Sequence, residues 1–193
     1  IMSGTAQVHQ NATLSPTKLE LLATWLPEQT WFEGDVADLT QVGRYRLVDP
    51  DGEVGLDGIL VRSAGVVYHV PLTWRAAPLA EGVLVGTLEH SALGTRYGYD
   101  APTDPVFVAE LLRVIREGDS GADIASADSG ELLPNPTKVA GTGLPPTVDA
   151  QGQVRLARAL GPEHEDTRAA RGLLTATWEL DGQPREDVLA VLR

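Results

Sequence analysis

Residues 42–74 read VGRYRLVDPDGEVGLDGILVRSAGVVYHVPLTW. From Gln41 onward apolar and polar positions alternate, the period of a strand with one face buried. Val42 to Val48 predicts a first strand. Asp49-Pro50-Asp51-Gly52 then predicts a tight turn, because proline presets φ at the second turn position and glycine tolerates positive φ. Val54 to Val61 predicts the returning strand, Ser63-Ala64-Gly65 turns again, and Val66 to Trp74 makes a third strand. Val83 to Leu88 predicts a fourth, after Ala76 to Glu81 has crossed over. Consecutive hairpins make an antiparallel meander, with one face against helices.

Two helices flank this meander. Thr17 and Glu20 have capping-box spacing, Pro16 suits a first helical position, and Leu19, Leu22, Trp25 and Leu26 recur on one face. The predicted helix therefore runs from Ser15 or Pro16 to about Leu26, with Pro27 as its stop. Trp25, Trp31 and Phe32 crowd together there, as a plug at one end of the core or as an exposed platform for a sugar. Asp104 to about Glu117 predicts the second helix, with Pro105 in its first turn, Arg113 and Arg116 late, and Gly118 to end it. Val108, Leu111, Leu112 and Ile115 are its expected buried stripe.

Outside these elements the periodicity fades. Residues 1–14 read as a flexible lead-in to one domain over 15–193, and 118–152 as a long irregular connection, partly mobile or draped over the surface. Val154 to Leu160 and Gly172 to Leu180 predict further strands. Asp181-Gly182 signals a hairpin into Asp187 to Leu192, a strand or a short helix. A strand is favoured, with Trp178 facing Val188 across the tight return.

Composition narrows the function. The chain has 193 residues, with 15 Lys and Arg against 27 Asp and Glu, for a net charge of −12. Such a balance repels nucleic acid and anionic membrane surfaces. Cysteine is absent, which removes disulfides, thiol nucleophiles and zinc–thiolate sites. The uncharged run Ser63 to Trp74 is too short to span a bilayer, and residues 1–17 lack the blocks of a signal peptide, so a cytoplasmic location is expected.

Searches for chemistry return little. His9, His69, His90 and His164 have no metal-ligand spacing, and Asp49 to Glu53 opens like a calcium loop without its closing glutamate. Gly118-Asp119-Ser120-Gly121 has the wrong spacing for a nucleophile elbow. No phosphate-binding loop occurs. His164-Glu165-Asp166 imitates a kinase catalytic loop, but Arg171 stands where the magnesium-binding asparagine belongs. The expectation is a non-enzyme with no metal and no cofactor.

The densest polar stretch is GTLEHSALGTRYGYD, residues 86–100, read as a glycine-rich loop between a strand and the second helix. His90, Arg96, Tyr99, Asp100 and Asp104 are its candidate ligand-binding residues, for a sugar or sugar phosphate. In the competing reading Arg96 pairs with Asp100 or Glu89, Asp104 caps the helix, and the tyrosines pack.

Leu84 to Arg96, with Tyr99-Asp100 and Asp104-Pro105-Val106, resembles the signature of actinobacterial proteins related to the N-terminal cap of maltokinases and glucosamine kinases. WLPEQTWFEG at 25–34 is similar to the opening of those caps, and YHVPLTWRAAPL at 68–79 to their central strand and turn. The resemblance runs from about Lys18 to Glu117 and departs at Thr30 and Asp35, where the kinase caps usually carry Arg and Lys. It implies an α+β fold, a curved antiparallel sheet packed against helices in a cystatin-like arrangement. In the kinases, ATP, magnesium and the base sit on a later lobe, so the resemblance brings no catalytic residue. It implies a stand-alone, non-catalytic binding or regulatory module acting on a protein partner. That partner would be a sugar kinase or another enzyme of α-glucan, maltose or trehalose metabolism.

Overall fold

The computed structural model describes residues 4–146, 152–164 and 166–193. In chain order the elements are β1 (Thr5–Val8), β2 (Leu14–Ser15), α1 (Lys18–Trp25), β3 (Thr40–Val48), β4 (Gly55–Ser63), β5 (Val66–His69), β6 (Leu72–Arg75), β7 (Leu84–His90) and β8 (Gly94–Asp100). They continue with α2 (Pro105–Glu117), β9 (Asp123–Ser126), β10 (Leu132–Leu133), β11 (Lys138–Gly141), β12 (Val154–Leu156), β13 (Gly172–Leu180) and β14 (Gln183–Leu192). Among the described residues strand outweighs helix, 43% to 16%, so packing between sheets dominates the fold.

The largest sheet has the order β2-β7-β8-β6-β4-β3 and curls into a half-barrel. The predicted third strand is broken into β5, which pairs with Leu60–Ser63 of β4, and β6, which pairs with Gly55–Asp57. The break falls at Val70-Pro71. Proline has no N–H for the ladder, and the Pro71 carbonyl instead accepts from Ala101 N at 3.0 Å. A second sheet has the order β11-β13-β14-β12, and a third, β1-β9-β10, holds a parallel β1–β9 pair.

Strand alternation gives β4 two buried faces. Leu56 and Leu60 join Phe107, Leu111, Val114 and Ile115 of α2 and Leu174, Ala176 and Leu189 of the second sheet. Ile59 and Val61 point the other way, into a core with Leu22, Trp25 and Leu26. Trp31 and Phe32 pack here too, with Phe32 at 4.9 Å from Tyr68 and the Arg158 guanidinium 4.6 Å over Trp31. They close the end of this core. Between the sheets Tyr45 lies flat over Gly58, where a Cβ would come within 2.1 Å of its ring. His69 Nδ1 donates to the carbonyls of Ala157 (3.2 Å) and Leu189 (3.1 Å), so Nε2 is left to accept the Tyr45 hydroxyl at 2.8 Å. Burial, with Arg158 nearby, holds His69 neutral, its pKa pulled down to about 3.

Several expectations change in detail. The capping box forms as read, but Thr17 is the cap, so Pro16 stands before the helix rather than inside it. Past Trp25 the chain tightens into a 3₁₀ turn at Leu26–Glu28 that includes Pro27. On α2 the buried stripe is Phe107, Leu111, Val114 and Ile115, while Val108 and Leu112 are only half-buried. Residues 86–100 form the β7–β8 hairpin, not a loop, and its second strand β8 inserts between β6 and the expected fourth strand β7, so the sheet is not a meander of consecutive hairpins. Their glycines serve close packing: a Cβ on Gly98 would meet the Trp74 ring at 2.6 Å. The two-residue turn at Asp181-Gly182 sets Leu180 against Gln183, which puts Trp178 opposite Arg185 and Val188 opposite Thr175. The strand expected over Val154 to Leu160 ends at Leu156.

Thr5–Val8, within the expected lead-in, forms β1, and β9, β10 and β11 fall within the expected 118–152 connection. The parts of those two readings over 1–3 and 147–151, and Glu165 of the kinase-like triplet, lie outside the described residues. Among the described residues no helix is long and apolar enough to cross a membrane.

Candidate functional site

Helix α1 covers only part of the second face of the large sheet. The rest opens as a cleft of about 360 Å³, floored by β3, β4, β6 and β8 and walled by the segment from Gln7 to Leu14. Arg44 and Arg46, two apart on β3, present their side chains to the same side. Arg46 pairs across the ladder with Asp57 of β4, Nε to carboxylate 3.4 Å. Lys18, in the first turn of α1, places its ammonium 2.5 Å from the same carboxylate, and the Trp74 indole N–H donates to it at 3.1 Å. Asp57 is buried, 4% exposed. Burial opposes its charge, but Arg46, Lys18 and the two hydrogen bonds overcome that and hold the carboxyl far below the usual carboxylate range. The Lys18 pKa is lowered as well: burial pulls it down, Asp57 offsets part of this, and Arg46 and Arg44 lower it further.

The far flank of the cleft comes from the β7–β8 hairpin. Arg96 stands opposite Leu88, and both line the cleft with His90. His90 Nδ1 accepts from the backbone N–H groups of Ala92 and Leu93, each at 3.1 Å, which fixes the ring. His9 meets it edge to face at 5.3 Å. Burial lowers the His90 pKa, and the charges of His9, Arg96 and Lys18 lower it further. Among the described residues neither Arg44 nor Arg96 has a carboxylate within ion-pair distance. Four cations thus line the cleft and one buried acid meets two of them, an arrangement that favours a bound anion. A second hollow of about 380 Å³ adjoins the first and shares Leu14, Lys18, Arg44 and Arg46 with it.

The five residues singled out in the sequence separate. His90 and Arg96 reach the cleft; Tyr99, Asp100 and Asp104 do not. The Tyr99 hydroxyl accepts from Leu79 N at 2.7 Å, under the crossover. Asp100 takes both oxygens to one guanidinium nitrogen of Arg158, at 2.9 and 2.8 Å. Asp104, with no exposed surface, caps α2 through Val106 N and binds Thr73 and Arg75, the latter by two bonds of 2.8 Å. Burial works against its ionisation, but Arg75, Thr73 and Val106 N hold its pKa below the ordinary value. The cap and packed-tyrosine parts of the competing reading fit these contacts; its Arg96 pair does not form. Lys18, Arg44, Arg46, Asp57 and Trp74 were not singled out. Their signal was present: two arginines in phase on a strand whose alternate positions are apolar.

The floor of this cleft lies within one recognisable segment. Residues 25–104 match the maltokinase N-terminal cap domain. No solved structure matches the chain. The cap segment takes in β3 to β8 and ends on Asp104, the α2 cap. It therefore contains Arg44, Arg46, Asp57, Trp74, His90 and Arg96, whereas Lys18 and the 7–14 wall precede it. Among the described residues no three His, Asp or Glu side chains cluster to hold a metal ion.

Proposed function

We propose that this chain is a non-catalytic, maltokinase-cap-type module, cystatin-like in arrangement and cytoplasmic, that acts by binding an enzyme. The enzyme is a sugar kinase or another catalyst of α-glucan, maltose or trehalose metabolism. The observation that carries this reading is the match of residues 25–104 to the maltokinase N-terminal cap domain. A net charge of −12 supports it, because an acidic surface steers a basic patch of a partner into contact. The test is sedimentation of the purified chain with a purified maltokinase and, separately, with an α-glucan-processing enzyme. Saturable association that changes the enzyme's kcat or KM is expected. Independent sedimentation with both, and unchanged kinetics, refutes it.

A second reading, a binding site for a sugar or sugar phosphate in the stretch His90 to Asp104, is favoured at one end only. There His90 and Arg96 face the cleft.

A further inference from the structure

We infer that the cleft between β3 and β8 is a binding site for a small phosphorylated, hydroxyl-bearing molecule of sugar-phosphate size. The inference deepens the second reading above and is independent of the partner enzyme.

Charge is the first argument. In a chain of net charge −12, four of the 15 Lys and Arg residues line one hollow, and the acid that meets two of them, Asp57, lines the adjoining one. Asp57 already holds Lys18 and Arg46. Arg44 and Arg96 have no carboxylate within ion-pair distance among the described residues, whereas Lys18 and Arg46 do. Like charges held together weaken a fold, and sites are where proteins keep such arrangements.

Shape is the second argument. A hollow of about 360 Å³ falls in the size range of small-molecule sites and is bounded on one side by the Gln7–Leu14 segment. In the sheet order, β3 and β8 are three strand spacings apart, roughly 14 Å between backbones. A ligand that engages Arg44 on one flank and Arg96 on the other is therefore a molecule rather than a bare ion. Arginine forks suit phosphate oxygens, two N–H donors to two acceptors. Gln7 and Gln10 on the wall supply amide donors and acceptors for hydroxyls.

The test is isothermal titration of the full chain at low salt with glucose 1-phosphate, pyrophosphate, glucose and an oligoglutamate peptide. Four proteins are compared: wild type, Arg44→Gln, Arg96→Gln and, as a control, Arg168→Gln, whose guanidinium pairs with Asp166. Saturable binding of glucose 1-phosphate is expected, with glucose silent. Each cleft variant should weaken it on the order of tenfold while the control leaves it unchanged. Without ligand, the two cleft variants should melt at or above the wild-type temperature, as removal of one of several clustered cations predicts. Absence of saturable binding, equal affinity in Arg96→Gln, preference for oligoglutamate, or a clearly lower melting temperature in both cleft variants overturns the inference. Association with a maltokinase that survives in both cleft variants bears on the partner reading alone.

Discussion

At His69 one imidazole joins three parts of the chain, and its neutrality is a condition of the packing. The unfolded ring takes up a proton below about 6.5, the folded ring only near a pKa of about 3. Between those values the unfolded state binds the extra proton, so stability is full above the window and falls as pH drops through it. The fall amounts to a few kcal/mol. Urea unfolding from about pH 8 to about pH 5 should show it, and His69→Gln should be less stable at pH 8 with a flatter slope below about pH 6.5. Asp57 makes a second prediction. Asp57→Asn leaves Lys18 and Arg46 unneutralised and should cost about 3 kcal/mol in urea unfolding. The same change should tighten binding of glucose 1-phosphate, because the cleft gains net positive charge. Loss of both stability and affinity would contradict this. These roles were unequally legible in the sequence. Arg44 and Arg46 stood two apart on a predicted strand, so their shared face was readable. The partner of Asp100 was not, since Arg158 lies 58 positions away and reaches it only once the sheets are assembled.

Among the elements, the helix ends carry the clearest local energetics. Thr17→Ala breaks a two-way capping box, Thr17 Oγ1 to Glu20 N and Glu20 to Thr17 N at 3.2 Å each. The expected loss is about 1 kcal/mol, checked by chemical denaturation. Asp104→Ala removes a cap and an ion pair together and strands the Arg75 guanidinium against the sheet, so about 3 kcal/mol is expected. Helix ends were readable because capping chemistry is local. The turns at Asp49-Pro50-Asp51-Gly52 and Asp181-Gly182 were readable for the same reason, but the consecutive order of the meander was not kept, because β8 rather than β7 pairs with β6. The β7–β8 hairpin was not readable. Gly86, Gly94 and Gly98 look like loop residues in one dimension, and only the Trp74 ring over Gly98 shows why a strand needs one of them.

Over the whole molecule the charge is divided, acidic across most of the sequence and basic inside one cleft. Binding of a phosphorylated ligand should therefore weaken steadily with added salt, more than the melting temperature shifts, and titrations across a salt series check this. Topology at this scale was hidden in the sequence. The parallel β1–β9 pair joins residue 5 to residue 123, and no local pattern announces so distant a partner. That pairing secures the strand from which the cleft wall continues, through His9 to Leu14, and the wall lies wholly outside residues 25–104. Floor and wall thus come from different stretches of the chain, and the wall lies before the matched segment. Without the 7–14 stretch the same cations would lie on an open shelf of sheet rather than in a hollow.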